Sequence, residues 1–269
     1  MMERKEKEIR QGQEPEQRTD SKSAQESTDT LDSSSRPHAE EKRFAQGLCF
    51  SKLFWIFMIG CVIGFIAETL YCIFIEHKFE FRAGLLYGPF NPVYGFGAVL
   101  ITLVLTALPT KKLIWIFVIS MLLGAGFEYV CSWFQELAFG TISWQYEDTM
   151  WNIGGRTNLA FAFCWGILGS LWMAVIYPFL SRTIEKLPIK WGRILTTVFC
   201  IFMVFDLTIS AMAAGRHTAR REGIPAKNAI ERFLDQVYPD AVMDKIYPNA
   251  TPVDQVAASC LFYGGSVPK

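Results

Sequence analysis

The sequence predicts an all-α, polytopic transmembrane helix bundle of about five spans. Three observations predict it. Half of the 269 residues are apolar (51%), yet the first 46 are almost wholly polar, so the hydrophobicity is concentrated downstream. Five apolar runs are long enough to cross a bilayer core, which takes about 20 helical residues at about 1.5 Å of rise each. Within several of these runs, small and polar residues recur every four positions, which places them on one helix face.

The runs are Leu53 to Ile75, Phe90 to Leu108, Leu113 to Phe139, Leu159 to Leu180 and Ile194 to Ala214. They divide the chain into a polar N-terminal tail (1–46), a transmembrane helical domain (47–215) and an amphipathic C-terminal tail (216–269). The N-terminal tail mixes Glu, Lys, Arg, Gln and Ser with hardly an aromatic. It cannot bury enough surface to offset the entropy of ordering, and disorder is expected there. The charged opening and the spanning length of the first run argue against a cleavable signal peptide.

The first run carries Gly60, Gly64 and Glu68 at intervals of four, a small-residue face that lets helices approach closely. A carboxylate in such a face costs roughly 2.5–3.5 kcal/mol on insertion scales, so Glu68 is expected to be paired, protonated, facing water or near enough to the helix end to reach the interface. The third run repeats the arrangement with Gly124, Glu128 and Ser132, extended by Gln135, and the fifth with Asp206, Ser210 and Ala214. The fourth offers Asn158, Ala162, Gly166 and Ser170 or Gly169. Such faces imply a bundle packed around them with Phe, Leu, Ile and Trp turned to lipid. Thr102 and Thr106 in the second run carry no further signal.

Between the first two helices, Gly84 to Gly97 reads GLLYGPFNPVYGFG, with Gly84, Gly88, Gly95, Gly97, Pro89 and Pro92 breaking an apolar region. Glycine permits positive φ, and proline removes a donor and disfavours helix in the residue before it. The segment, with Arg82 before it and Tyr94 within it, is either a tight loop into the next helix or irregular backbone at membrane depth, which must be buried in protein or line a cavity.

Trp144, Tyr146 and Trp151 suit a membrane interface, and Gly154-Gly155 marks a turn before Arg156. Arg156 then either pairs with an intramembrane carboxylate or meets lipid phosphate. Past Ala214 the chain turns basic (Arg216, Arg220, Arg221), and Ile230, Phe233, Leu234 and Val237 have the spacing of a short amphipathic helix. Lys111, Lys112, Arg182, Lys186, Lys190 and Arg193 outweigh Lys78, Arg82 and Arg156, so the N-terminus is expected in the cytoplasm of a multi-pass cell-membrane protein. Five spans then put the basic start of the C-terminal tail outside, a conflict that an even count, through a re-entrant or sixth segment near residues 80–94, would remove.

The net charge is zero and no basic stripe with interleaved aromatics appears, so nucleic acid is not an expected partner. Seven scattered cysteines without a CxxC pair and only three histidines point to no disulfide framework, no metal and no cofactor.

The motifs Glu68-Thr69-Leu70-Tyr71, Arg82-Ala83-Gly84-Leu85, Gly88-Pro89, Pro92 to Gly97, Glu128-Tyr129, Trp144, Asn152 to Arg156 and Trp165-Gly166 together resemble the bacterial family called Putative ABC-transporter type IV, over roughly residues 55–185. The sequence departs from that pattern at Ala83, where glycine is expected, and at Gln145, where Trp-Asp-Tyr is expected around the loop acid. The resemblance implies a multi-pass, permease-like membrane protein, not an enzyme.

Three function classes follow. A transporter subunit would use Glu68, Glu128, Asp206 and Arg156 as an intramembrane polar site. Because the chain has no GxxxxGK[ST] motif, nucleotide-driven transport would need a separate ATPase subunit, whereas proton or cation coupling would not. A non-transporting sensor, assembly factor or regulator would use the same groups to lock its helices. An intramembrane enzyme is the third class, without a nucleophile motif to support it. Beyond the lipid bilayer, the candidate partners are that ATPase and a second copy of the chain.

Overall fold

A computed structural model describes residues 43–75, 77–109 and 112–255; the N-terminal tail expected over residues 1–46 lies almost entirely outside them. Helices α1 (Phe50–Phe74), α2 (Pro92–Ala107) and α3 (Leu113–Phe139) are followed by a short β-rich connection. Then come α4 (Leu159–Leu171), one π-helical turn (Trp172–Ile176), α5 (Tyr177–Glu185), α6 (Ile189–Arg221), α7 (Ala229–Val237) and α8 (Asp240–Ile246). Four apolar stretches have spanning length: α1, α3, the continuous α4–α5 unit and α6.

The remaining apolar helix is shorter. Helix α2 has only 16 residues, about 24 Å at the standard rise and short of a bilayer core. The chain before it is irregular. Gly84 N–H donates to Phe90 O at 2.9 Å, Gly88 takes a φ of +81°, and Asn91 N–H donates to Cys61 O, near the middle of α1, at 3.0 Å. Asn91 then caps α2, its side chain accepting from Val93 N–H, with Pro92 at the first helical position where no donor is missed. The Gly/Pro segment is therefore irregular backbone anchored at the level of Cys61, with Ala83, Leu85 and Asn91 buried and Tyr87, Gly88 and Pro89 exposed. It carries the chain onward into α2.

Close approach builds two helix hairpins, α1–α2 and α3–α4. A Cβ on Gly64 would meet the Tyr94 ring at 2.2 Å, and one on Gly124 would meet the Trp165 side chain at 2.3 Å. Gly60 faces Ala98 and Gly95, Gly95 faces Cys61 and Phe57, and Gly166 faces Phe117. Each hairpin pairs a Gly-x-x-x-Glu helix with a second helix whose Asn cap, Asn91 or Asn158, is buried.

Trp172 donates through its indole N–H to Thr102 Oγ1 at 2.8 Å, so Thr102, fully buried, is a tie between α2 and the π turn and more than an ordinary apolar-helix threonine. The π turn itself precedes Pro178, whose missing N–H and ring would break an α-helical ladder there. Trp55 likewise donates to Thr196 Oγ1 at 3.0 Å, joining α1 to α6. At the same end Lys52, 1% exposed, is ion-paired with Glu185 and donates to Ser181 Oγ at 2.8 Å.

At the other end, Gly140 (φ +60°) stops α3, and Thr218 on α6 donates to Phe139 O at 2.6 Å. Strand β1 (Thr141–Ile142) pairs antiparallel with β4 (Thr251–Pro252), and β2 (Asn152–Ile153) with β3 (Thr157–Asn158) around the left-handed Gly154-Gly155 turn. Helix α6 continues through Arg221, past residue 215, and α7 and α8 fold back on it. Of the four apolar residues spaced along α7, Leu234 is buried while Ile230, Phe233 and Val237 face outward. The basic residues that begin the C-terminal tail are neutralised here. Arg216 and Arg220 bind Asp235, Arg220 also binds Asp240, and Arg221 binds Asp244.

Candidate functional site

The polar residues of the transmembrane faces do not meet in one place. Glu68 and Glu128 do come together. Both line a cavity of about 650 Å³ between the two hairpins, with Arg82, Tyr94, Tyr146 and Trp165 also in its wall. Glu68 sits one turn beyond the Gly64 notch and is hydrogen-bonded by Tyr94, whose ring fills that notch. Glu128 sits one turn beyond the Gly124 notch, filled by Trp165, whose indole N–H is directed to it. The rings of Tyr94 and Trp165 lie 6.1 Å apart between the two acids.

Glu128 is 7% exposed and held by neutral donors. Tyr146 Oη donates to Oε1 at 2.9 Å and Thr157 Oγ1 to Oε2 at 2.8 Å. Burial, followed by the Glu128 charge, pushes the Tyr146 phenol pKa well up, which keeps it a donor at any physiological pH. Among the described residues no Lys, Arg or His forms an ion pair with Glu128. Tyr146 and Thr157 come from the connection between α3 and α4, and nothing in their local sequence marks them as partners of residue 128. Trp165 was legible only as part of the Trp165-Gly166 motif.

Arg82 lines the same cavity. It is ion-paired with Glu80 at 2.9 Å and donates through Nε to Cys72 Sγ at 3.1 Å. Glu68 and Arg82 also line an adjoining cavity of about 420 Å³, which reaches Gln135, Ser210, His217 and Tyr247 and so extends from the Gly/Pro segment to the α7–α8 region. Gly84 and Pro92 contribute to its wall, while Gly97 packs at the α2–α3 contact against Phe127.

Arg156 is not the partner of either core acid. It is ion-paired with Glu136 at the end of α3, donates to Ser132 Oγ at 3.2 Å and stacks its guanidinium 5.8 Å from the Tyr129 ring centroid. The residue lines a separate small cavity of about 230 Å³ with Gln145 and Glu147.

Asp206 is also elsewhere. Fully buried on α6, it accepts the backbone N–H of Tyr87 and the Ser210 hydroxyl, each at 3.2 Å, while Ser210 Oγ accepts the N–H of Leu86 at 2.9 Å. Orphan amides of the Gly/Pro segment, including that following Leu85 and preceding Gly88-Pro89, are thereby satisfied by a helix distant in sequence.

Four helices of spanning length, a shorter apolar helix and a carboxylate-lined cavity beside an irregular segment define a polytopic membrane protein. A family model described as Putative ABC-transporter type IV matches residues 55–211, and the chain belongs to that family. The match extends beyond residue 185, where the resemblance read from motifs ended, and takes in Asp206 and Ser210. Comparison with curated proteins found no match, and neither did comparison with solved structures.

Proposed function

We propose that this chain is the membrane-spanning subunit of a transporter, and that the Glu68–Glu128 cavity is part of its solute path. One observation carries the reading: two carboxylates from neighbouring hairpins line a shared cavity of about 650 Å³, within the size range of small-molecule sites. Ionisable residues within spanning segments mark solute or proton paths as a default expectation. Discontinuous backbone beside such a cavity, as at residues 80–91, is a recurrent feature of transport sites.

The remaining parts of the reading follow from charge and motif. Arg43, Lys52, Lys112, Arg182, Lys186, Lys190 and Arg193 belong to the end that carries the first residue of α1, while the arginines at the far end of α6 are paired with aspartates. That asymmetry favours a cytoplasmic N-terminus in the cell membrane. Nucleotide-driven transport requires a phosphate-loop ATPase as partner, and a second copy of the chain is the other candidate.

A non-transporting reading has its own support in Asp206, which behaves as a structural clasp. Purification from the native membrane in gentle detergent, with identification of stoichiometric partners, followed by flux of a small-solute panel into proteoliposomes, separates the two. The transporter reading expects an ATPase partner or a flux that falls at least tenfold in Glu68→Gln and Glu128→Gln. Folded protein with neither a partner nor a flux overturns it.

A further inference from the structure

We infer that the hairpins α1–α2 and α3–α4 are two copies of one duplicated unit, and that the seam between the copies, not the packing inside either, parts to admit a solute. The inference rests on the cavity being a solute site, as proposed above, and adds how that site is reached.

The duplication is present in the sequence and repeated in the contacts. Residues 52–59 read KLFWIFMI and residues 112–119 read KLIWIFVI, differing only where Phe54 and Met58 face Ile114 and Val118. At the same step Gly64 corresponds to Gly124 and Glu68 to Glu128. Inter-helix contacts then recur residue for residue. Gly64 against Tyr94 becomes Gly124 against Trp165, Phe57 against Gly95 becomes Phe117 against Gly166, and Gly60 against Ala98 becomes Ser120 against Gly169. The step is constant along the first helix of each hairpin, and constant but larger along the second. The acids follow the same correspondence, Tyr94 serving Glu68 as Trp165 serves Glu128. Unrelated apolar helices share composition, but they do not keep both partners of each contact in register.

Topology makes the copies parallel. Each hairpin is an antiparallel pair, and only residues 108–112 separate α2 from α3, so α1 and α3 run the same way and the copies are related about an axis along the membrane normal. Transporters built from such repeats hold their solute at the interface between the copies and change its access by tilting one copy against the other. The cavity lies at that interface, its wall taking Glu68 and Tyr94 from one copy and Glu128 and Trp165 from the other. Towards the Lys52 end the seam is shut. Thr102 of α2 there accepts the indole N–H of Trp172, in the π turn that continues α4, at 2.8 Å, and Ile56, Ile101, Ile116 and Trp172 share one buried cluster. Ile56 and Ile116 are themselves corresponding positions. Inside each hairpin the helices approach through glycine, which leaves little freedom to separate. The seam meets through side chains, which can part and re-form.

Two buried hydroxyls provide the test. Thr102 lies at the seam and Ser120 inside a hairpin, and both are fully buried. Thr102→Cys and Ser120→Cys are made in the full chain, placed in nanodiscs and exposed to a charged, membrane-impermeant methanethiosulfonate. Modification of each site is read by mass spectrometry and normalised to the same thiol in denaturant. Residue 102 is expected to react at least tenfold faster than residue 120. Ile101→Cys, which leaves the Thr102–Trp172 bond in place, is expected to react like Thr102→Cys and decides the matter if that variant does not fold. Equal rates at the seam and inside the hairpin, reaction at residue 102 that Ile101→Cys does not share, or no modification of either seam thiol in folded protein would each overturn the inference. A reactive seam without solute flux in proteoliposomes leaves the moving hairpins and refutes transport; flux through a chain whose seam is inert refutes the moving seam and leaves transport.

Discussion

Asp206 on α6 accepts the backbone N–H of Tyr87 at 3.2 Å across 119 residues of sequence, and this contact ties α6 to the irregular segment before α2. Leu86 and Tyr87 lie where no helix or strand satisfies their amides, and Asp206 with Ser210 supplies the acceptors. Removing the acceptor leaves this part-buried donor unsatisfied, worth up to about 1–3 kcal/mol. Asp206→Ala is therefore expected to lower thermal stability in detergent by that order and to open residues 80–91 to protease. Asp206→Asn keeps an acceptor oxygen and is expected to lose much less. An alanine variant as stable and as protease-resistant as the parent would return Asp206 to the solute path.

The glycine notches make a sharper packing prediction. Alanine at Gly64 or Gly124 would place Cβ 2.2 or 2.3 Å from the Tyr94 or Trp165 side chain, whereas Gly126, two residues on, has nothing within 4 Å of the same added atom. Overpacking of this kind costs about 1–3 kcal/mol. Gly64→Ala and Gly124→Ala are expected to melt earlier, and Gly126→Ala to match or exceed the parent, since alanine is the better helix former. Equal melting of all three proteins would mean that the rings are not seated in the notches.

Lys52 and Glu185 form an ion pair that no local pattern announces. Lys52 is 1% exposed as a residue, and the Glu185 side chain retains 22% exposure. Breaking a wholly buried pair from one side costs about 3–5 kcal/mol; with Glu185 partly solvated, a smaller loss is expected for Lys52→Met. The double variant Lys52→Met/Glu185→Leu should recover part of that loss. A double-mutant cycle on thermal stability measures the coupling, and additive effects would show that the pair contributes nothing.

The α6–α7 junction carries an acid-dependent element. The hydrogen bond from Arg216, followed by that from Arg220, lowers the Asp235 carboxyl pKa from 3.8 to about 2. A carboxyl pKa lower in the folded state gives stability that is present above the unfolded value and is lost as pH falls through the folded one. Attachment of α7 and α8 to α6 should therefore weaken between about pH 4 and about pH 2. Asp235→Asn should flatten that acid response and loosen the segment already at neutral pH. Limited proteolysis near residues 222–228 by an acid-active protease, followed across this range, reads the effect, and identical acid responses in both proteins would exclude Asp235 as its source.

Much of the fold was legible because its signals are local. A run of about 20 apolar residues reads as a span wherever it occurs, and intervals of four identify one helix face. The Gly60–Gly64–Glu68 and Gly124–Glu128–Ser132 series, the breaks at Gly88, Pro89 and Pro92, and the Gly154-Gly155 turn needed no partner to be seen. Arg216, Arg220 and Arg221 were visible as a basic cluster, but their aspartates lie in α7 and α8, so only half of each pair could be weighed.

The amino-acid pattern alone established an all-α membrane bundle, the small-residue helix faces and the acids at positions 68, 128 and 206, since each depends on neighbours within a turn or two. Tertiary structure decided which acids share a cavity, what Tyr94 and Trp165 press against, that Arg156 belongs to Glu136, and that Asp206 belongs to the Tyr87 amide. Helix–helix registry and the path of an irregular segment are set by contacts between residues tens to more than a hundred positions apart. No periodicity in one helix encodes the identity of the side chain it will meet on another.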